Sequence, residues 1–215
     1  MLAFYGSSVG KKIIMAATGL VLVGFVVVHM AGNTLVFQGA DRINGYSRFL
    51  HSTGELLWLA RAVLLVSVVL HVDCALRLTV RARRARPVRY LENDPQVSTF
   101  ASQTMRFGGL ALAIFVVLHI LHFTTGTLHP DFHPGEVYAN LVTGLSVWWV
   151  AVGYVLAMLA LGLHLYHGVW SSVRTLGVAR PSRDPLKRRL ALVVAIVVAC
   201  GFAAVPLAIV IGLVR

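Results

Sequence analysis

The chain has 215 residues, 58% of them hydrophobic and 13% charged, with a mean hydropathy of +0.79. A water-soluble domain is roughly 45–50% apolar and about 25% charged, so this composition excludes an ordinary soluble protein. The formal charge of +11 would suit a nucleic-acid binder, but the cations gather in loops between apolar runs, where they act as a topology signal and meet anionic lipid.

The chain reads as one integral membrane domain over residues 1–215, with neither internal repeats nor low-complexity stretches. A membrane-spanning helix needs about 20 apolar residues, and five segments qualify. The first is expected from Ile13 to Phe37. The run after Lys12 is longer than a signal-peptide core and lacks a clear cleavage site, so it is expected to be retained. The second is expected from Glu55 to Leu78, the third from Arg106 to Leu128, the fourth from Leu145 to Val173 and the fifth from Leu190 to Val214. Pro206 inside the last is tolerated better in a membrane than in water.

The loops set the orientation. Lys11 and Lys12 precede the first span. Arg77, Arg81, Arg83, Arg84, Arg86 and Arg89 cluster at and beyond the end of the second. Arg174, Arg180, Arg183, Lys187, Arg188 and Arg189 separate the fourth from the fifth. With alternating helices all three groups fall on one side, and the opposite loops hold only Arg42 and Arg48 beside Asp41, Glu55, Asp131 and Glu136. The positive-inside rule places the amino end in the cytoplasm and the carboxyl end outside.

Each of the first four spans carries a histidine: His29, His71, His119 and His164. A polar ring in hydrocarbon is costly and marks a functional site. At about 1.5 Å per residue, His29 lies roughly 24 Å and His119 roughly 20 Å from the inner edge, whereas His71 lies roughly 9 Å and His164 roughly 15 Å from it. The first and third spans therefore supply an outer pair, the second and fourth an inner pair. Bis-histidine ligation fills both axial positions of haem iron and suits electron transfer. C-x-x-C-H is absent, so two non-covalent b-type haems are expected. A proton relay, or histidines bonded to neighbouring helices, would use the same residues differently. Within each of the pairs His119/His122 and His164/His167 the two rings share roughly one helix face, and depth alone favours His167 slightly. Cys74 and Cys200 lie in apolar runs with no compact Cys-plus-His motif and read as small buried hydrophobes.

Four stretches carry a resemblance: SSVGKKIIMAATGLVLVGFVVVHMAGN at 7–33, HSTGELLWLARAVLLVSVVLH at 51–71, LHILHFT at 118–124 and HLYHGVWSSVRTLG at 164–177. In this order and spacing the chain resembles the cytochrome b membrane-anchor subunit of succinate dehydrogenases and fumarate reductases, in its single-chain, five-helix, di-haem b558 type. The resemblance implies an all-α haem-binding bundle in a bacterial cytoplasmic membrane. Position by position it matches the outer haem ligands to His29 and His119 and the inner ones to His71 and His164, the last through His164, Gly168 and Trp170. His122 and His167 become neighbours of propionates or quinone. The resemblance further implies an iron-sulfur subunit and a flavoprotein on the cytoplasmic face, and a quinone, menaquinone by analogy, near the outer haem. Dicarboxylate chemistry would belong to the flavoprotein. Some members carry a glutamate two residues before the fourth ligand, where this chain has Gly162. His51, Glu55, Trp58 and Arg61, at the outer end of the second span, offer a ring, a carboxylate and a cation for a quinone pocket; an interfacial belt would look the same. Lys12 and Arg106, near the inner edge, suit propionates. Gly19, Gly24 and Gly168 let a macrocycle or a helix approach closely. Two other readings keep part of this picture: a cytochrome b of another quinone-linked respiratory complex, or a haem-free transporter or anchor.

Overall fold

The computed structural model describes residues 2–85, 100–177 and 184–215, and among these every regular element is helical. Eight α-helices follow one another: α1 Leu2–Gly6, α2 Ser8–Asn33, α3 Ala40–Ser52, α4 Glu55–Arg84, α5 Phe100–Phe123, α6 Val137–Ser146, α7 Trp148–Thr175 and α8 Asp184–Val210, with a 3-10 turn at Thr34–Gln38. Five are long and apolar enough to cross a bilayer. The chain is a multi-pass membrane protein.

The five spans lie where hydropathy places them, with shifted ends. The first begins at Ser8 because the Ser7 hydroxyl caps Gly10 N–H at 2.9 Å, and its last turn, to Gln38, tightens to 3-10. The second runs on to Arg84 rather than Leu78; its extra turns carry the arginines that snorkel out of the hydrocarbon. The third starts six residues early, at Phe100, and stops at Phe123 rather than Leu128. Its stop is a turn in which Leu128 N–H reaches Leu121 O at 3.1 Å around Gly126, whose φ of +74° favours glycine. The expected start of the fourth at Leu145 is corrected to Trp148, because extended Val147 divides α6 from α7. The fifth starts at Asp184 and ends at Val210. Arg86, Arg89, Arg180 and Arg183 lie outside the described residues.

We call the end bearing the amino terminus the near end. α2 leaves it, α4 returns, α5 leaves, α7 returns, and α8 ends at the far side, where Tyr138 Oη donates to Arg215 O at 2.9 Å. The principal packing joins α7 to α8, α2 to α4, α5 to α7 and α2 to α7. The diagonal partners, α2 with α5 and α4 with α7, make no extensive backbone contact. Hydrophobic side chains close one core at the far end, around Val36, Leu145 and Val205, and another where α8 meets α7, around Leu165 and Val198.

A short-helix layer caps the far end. Asn44 on α3 donates to Glu136 Oε2 at 3.0 Å and accepts from Tyr138 N–H at 3.0 Å, docking α3 onto α6. Asn140, 5% exposed, bonds both backbone groups of His133, at 2.9 and 2.8 Å. His129 donates from Nε2 to Asn140 O at 2.8 Å and accepts Asp131 N–H on Nδ1 at 3.0 Å. These bonds satisfy buried polar groups that would otherwise cost free energy. At the near end α1 folds back on α2, and Gly10 is required there: a Cβ would lie 2.0 Å from Phe4 O.

Candidate functional site: two facing histidine pairs

The diagonal helices that avoid backbone contact bring their histidines face to face. His29 on α2 and His119 on α5 have ring centroids 5.9 Å apart, at 81° to each other. His71 on α4 and His164 on α7 have centroids 6.2 Å apart, at 58°. A metal–imidazole bond is about 2 Å and the ring centre lies about 1 Å beyond the nitrogen, so two imidazoles across one iron have centroids about 6 Å apart. Both pairs fit that span. Among the described residues no three His, Cys, Asp or Glu side chains converge as an all-protein metal site. Paired histidines are what a macrocycle with four equatorial nitrogens leaves for a protein to supply.

The two layers are regularly spaced. A Cβ on Gly19 of α2 would lie 3.2 Å from the His71 ring, and one on Gly109 of α5 would lie 3.7 Å from the His164 ring. Gly19 and Gly109 thus mark the near layer. His29 and His119 follow them by ten residues each, so the layers are about 15 Å apart on both helices. Gly24 and Gly168, by contrast, have nothing within 4 Å of an added Cβ.

Hydrogen bonds orient the rings. His71 Nδ1 lies 3.1 Å from Met15 O. A carbonyl only accepts, so Nδ1 carries the proton and Nε2 is the free nitrogen, the arrangement typical of a metal-ligating histidine. His164 Nδ1 is buried without a hydrogen-bond partner, and an orphaned buried polar atom calls for an explanation such as ligation. In the far layer Tyr154 Oη lies 2.9 Å from His122 Nδ1 and 3.4 Å from His119 Nδ1. His29 Nε2 lies 3.4 Å from Asn33 Nδ2, whose NH2 also donates to His29 O at 2.9 Å. Phe25 stacks on His29 and Phe115 on His119, which keeps this pair in an apolar setting.

Residues 79–204 match the family model described as succinate dehydrogenase/fumarate reductase transmembrane subunit. The chain belongs to this family. The match includes His119 and His164 and begins after His29 and His71. No curated protein and no solved structure matched the chain. As a transmembrane subunit it works in the bilayer with other subunits of a succinate dehydrogenase or fumarate reductase complex.

For this family member the remaining expected site residues divide into two groups. His122, 6% exposed, is bonded to Tyr154 and lines a far-end cavity of about 270 Å³ with His129, Leu128, Gly144, Trp149 and Val150. His167 lies one turn from His164 and is half-buried. His51, Glu55, Trp58 and Arg61 stand exposed at the head of α4. There Arg61 lies 4.9 Å over the Trp58 ring, and His51 Nδ1 meets Ser47 O at 2.8 Å. Lys12 and Arg106 are exposed.

Four polar residues with specific partners were not singled out as site residues by the sequence reading. Tyr154, a lone hydroxyl in an apolar run, carried the signal of an intramembrane polar group. So did Asp73, which takes Arg77 Nε on both oxygens at 2.8 Å and the Tyr5 hydroxyl. His129 sits in a loop and has no periodicity to mark it. Lys11, rather than Lys12, is the buried near-end cation: it is 3% exposed and its Nζ caps the carbonyls of Tyr5 and Gly6.

Proposed function

We propose that the chain is the di-haem cytochrome b anchor, of the b558 type, of a bacterial succinate:quinone oxidoreductase. One observation carries this reading: two histidine pairs face each other at 5.9 and 6.2 Å, in layers about 15 Å apart on one bundle. A b haem held by the two histidines of each layer would supply reversible one-electron transfer.

The protein's part is positioning. His29 and His119 hold the far site, and His71 and His164 the near one. The Met15 carbonyl fixes the His71 tautomer, Gly19, where a Cβ would crowd the ring at 3.2 Å, lets His71 lie against α2, and His164 lies beside Gly109 of α5. Lys12 and Arg106 sit at the near end, at a depth suited to propionates. The basic near end, cytoplasmic by the positive-inside rule, offers a seat for an iron-sulfur subunit and its flavoprotein. The two pairs would then place one-electron carriers between that face and a quinone at the far end, menaquinone by analogy. The far-end cavity favours quinone there: Trp149 offers an aromatic wall, and His122, bonded to Tyr154, offers a nitrogen for a quinone oxygen. The exposed His51, Glu55, Trp58 and Arg61 cluster is the second candidate, at the head of α4.

The test is to purify the complex and measure haem b per chain, with a reduced-minus-oxidised spectrum. The expected result is two haems, both reducible by succinate through a co-purifying flavoprotein or by a quinol. One haem would remove one layer from the model, and none would overturn the electron relay.

A further inference from the structure

The near end holds a second concave feature, away from the histidine layers. A cavity of about 300 Å³ is lined by Lys11, Leu76, Arg77, Val80, Arg81 and Arg84. Arg77, Arg81 and Arg84 are spaced i, i+4 and i+7 on α4 and so form one stripe. Leu76 and Val80, 62% and 45% exposed, form an apolar wall beside it.

The charges of this pocket are poorly compensated. Lys11 Nζ is held by the backbone carbonyls of Tyr5 and Gly6, and Arg81 by Gly6 O at 2.7 Å and Ser8 Oγ at 3.1 Å. Those partners are neutral. Among the described residues Asp73, paired with Arg77, is the carboxylate in this group. Four cations against one carboxylate leave a net charge of +3.

Depth says what the pocket meets. α4 has 30 residues, about 45 Å of helix against about 30 Å of hydrocarbon. With Glu55 at the far edge, Arg77 lies about 33 Å along and Arg84 about 44 Å, so the stripe begins in the phosphate layer of the near leaflet and its outer arginines lean back toward that layer, since helical side chains tilt toward the helix N-terminus. α4 packs mainly on α2, so its other flank faces lipid. Guanidinium forks suit phosphate oxygens, and the aliphatic wall suits the glycerol and upper acyl carbons of the same molecule.

We propose that this pocket binds the phosphate of an anionic phospholipid from the near leaflet. The shared chemistry is a phosphate monoanion; the depth and the Leu76–Val80 wall point to the lipid rather than to free phosphate.

The test uses the full chain in phosphatidylcholine nanodiscs doped with phosphatidylglycerol, followed by native mass spectrometry. Wild type is expected to retain phosphatidylglycerol over phosphatidylcholine. The R81Q/R84Q double variant should weaken that retention about thirtyfold, and R189Q, at an exposed basic position on α8, should leave it unchanged. If the double variant does not fold, R84Q alone, on the last turn of α4, should give a drop of about fivefold. Equal retention of both lipids, or wild-type retention by R84Q and the double variant, would overturn the proposal. Displacement by millimolar inorganic phosphate would reassign the pocket to a soluble anion and overturn the lipid assignment.

Discussion

Replacing Tyr154 by phenylalanine tests how the far histidine layer is tuned. The hydroxyl lies 3.4 Å from His119 Nδ1 and 2.9 Å from His122 Nδ1. If His119 gives Nε2 to iron, its Nδ1–H donates to the tyrosine oxygen, while the tyrosine O–H donates to His122. Accepting that proton makes the imidazole more electron-donating and favours the ferric state. A neutral hydrogen bond is worth about 0.5–1.5 kcal/mol net, and the long His119 contact belongs at the lower end. With a tenfold change in equilibrium constant equal to about 59 mV for one electron, about 0.5 kcal/mol corresponds to about 20 mV. Y154F should therefore raise the midpoint of the far haem by about 20 mV, up to about 60 mV for the strongest such bond, and leave the near haem unchanged. Potentiometric titration of the purified complex reads both midpoints. A far midpoint that stays put or falls, or a shift confined to the near haem, would refute the reasoning.

Other outcomes follow from the same geometry. H29A or H119A should cost the far haem and H71A or H164A the near one, each lowering haem b from two to one per chain by absorbance of the pyridine complex. A Cβ on Gly144 would lie 2.8 Å from His122 Nε2 and 2.9 Å from His129 Nε2, so G144V should abolish quinol-linked haem reduction while both haems remain bound. N140A removes two side-chain hydrogen bonds and leaves His133 N–H without its acceptor, while His133 O keeps the Glu136 N–H at 3.1 Å. It should cost about 1–3 kcal/mol, read as earlier thermal unfolding in detergent. At the near end the hydrogen bond to Asp73 raises the Tyr5 phenol above its ordinary value. A raised pKa favours the docked state below the unfolded value and loses that gain as pH climbs through the raised one. Protection of Lys11 from trypsin should therefore be flat between pH 6 and 9, about one unit or more below the ordinary phenol value.

The spans and the histidine pairing were legible because both rest on one-dimensional quantities. Apolar run length gives the helices, and rise per residue gives the depth of each ring. The choice between His119 and His122, three residues apart on one face, needs helix rotation, which depth does not encode. The structure turns His119 toward His29 and His122 toward Tyr154. The far-end cap was missed because α3 and α6 are short and amphipathic or interrupted at Val147, and because it is held by Asn44 and Asn140, whose partners lie up to 94 residues away. Lys11 and Lys12 are indistinguishable by charge. Only the fold-back of α1, permitted by Gly10, decides which is buried.

If each histidine layer holds a haem, as proposed, the spacing of the layers makes electron sharing between them sensitive to voltage. A layer separation of about 15 Å is about half the hydrocarbon thickness. An electron moving from one pair to the other would fall through about half the membrane potential, or about 1.2 kcal/mol for each 100 mV. That is roughly a sevenfold change in how the electron is shared between the layers. With haems in both layers, as proposed, the direction of the field across the bilayer would help decide which way electrons run between them, with no residue moving.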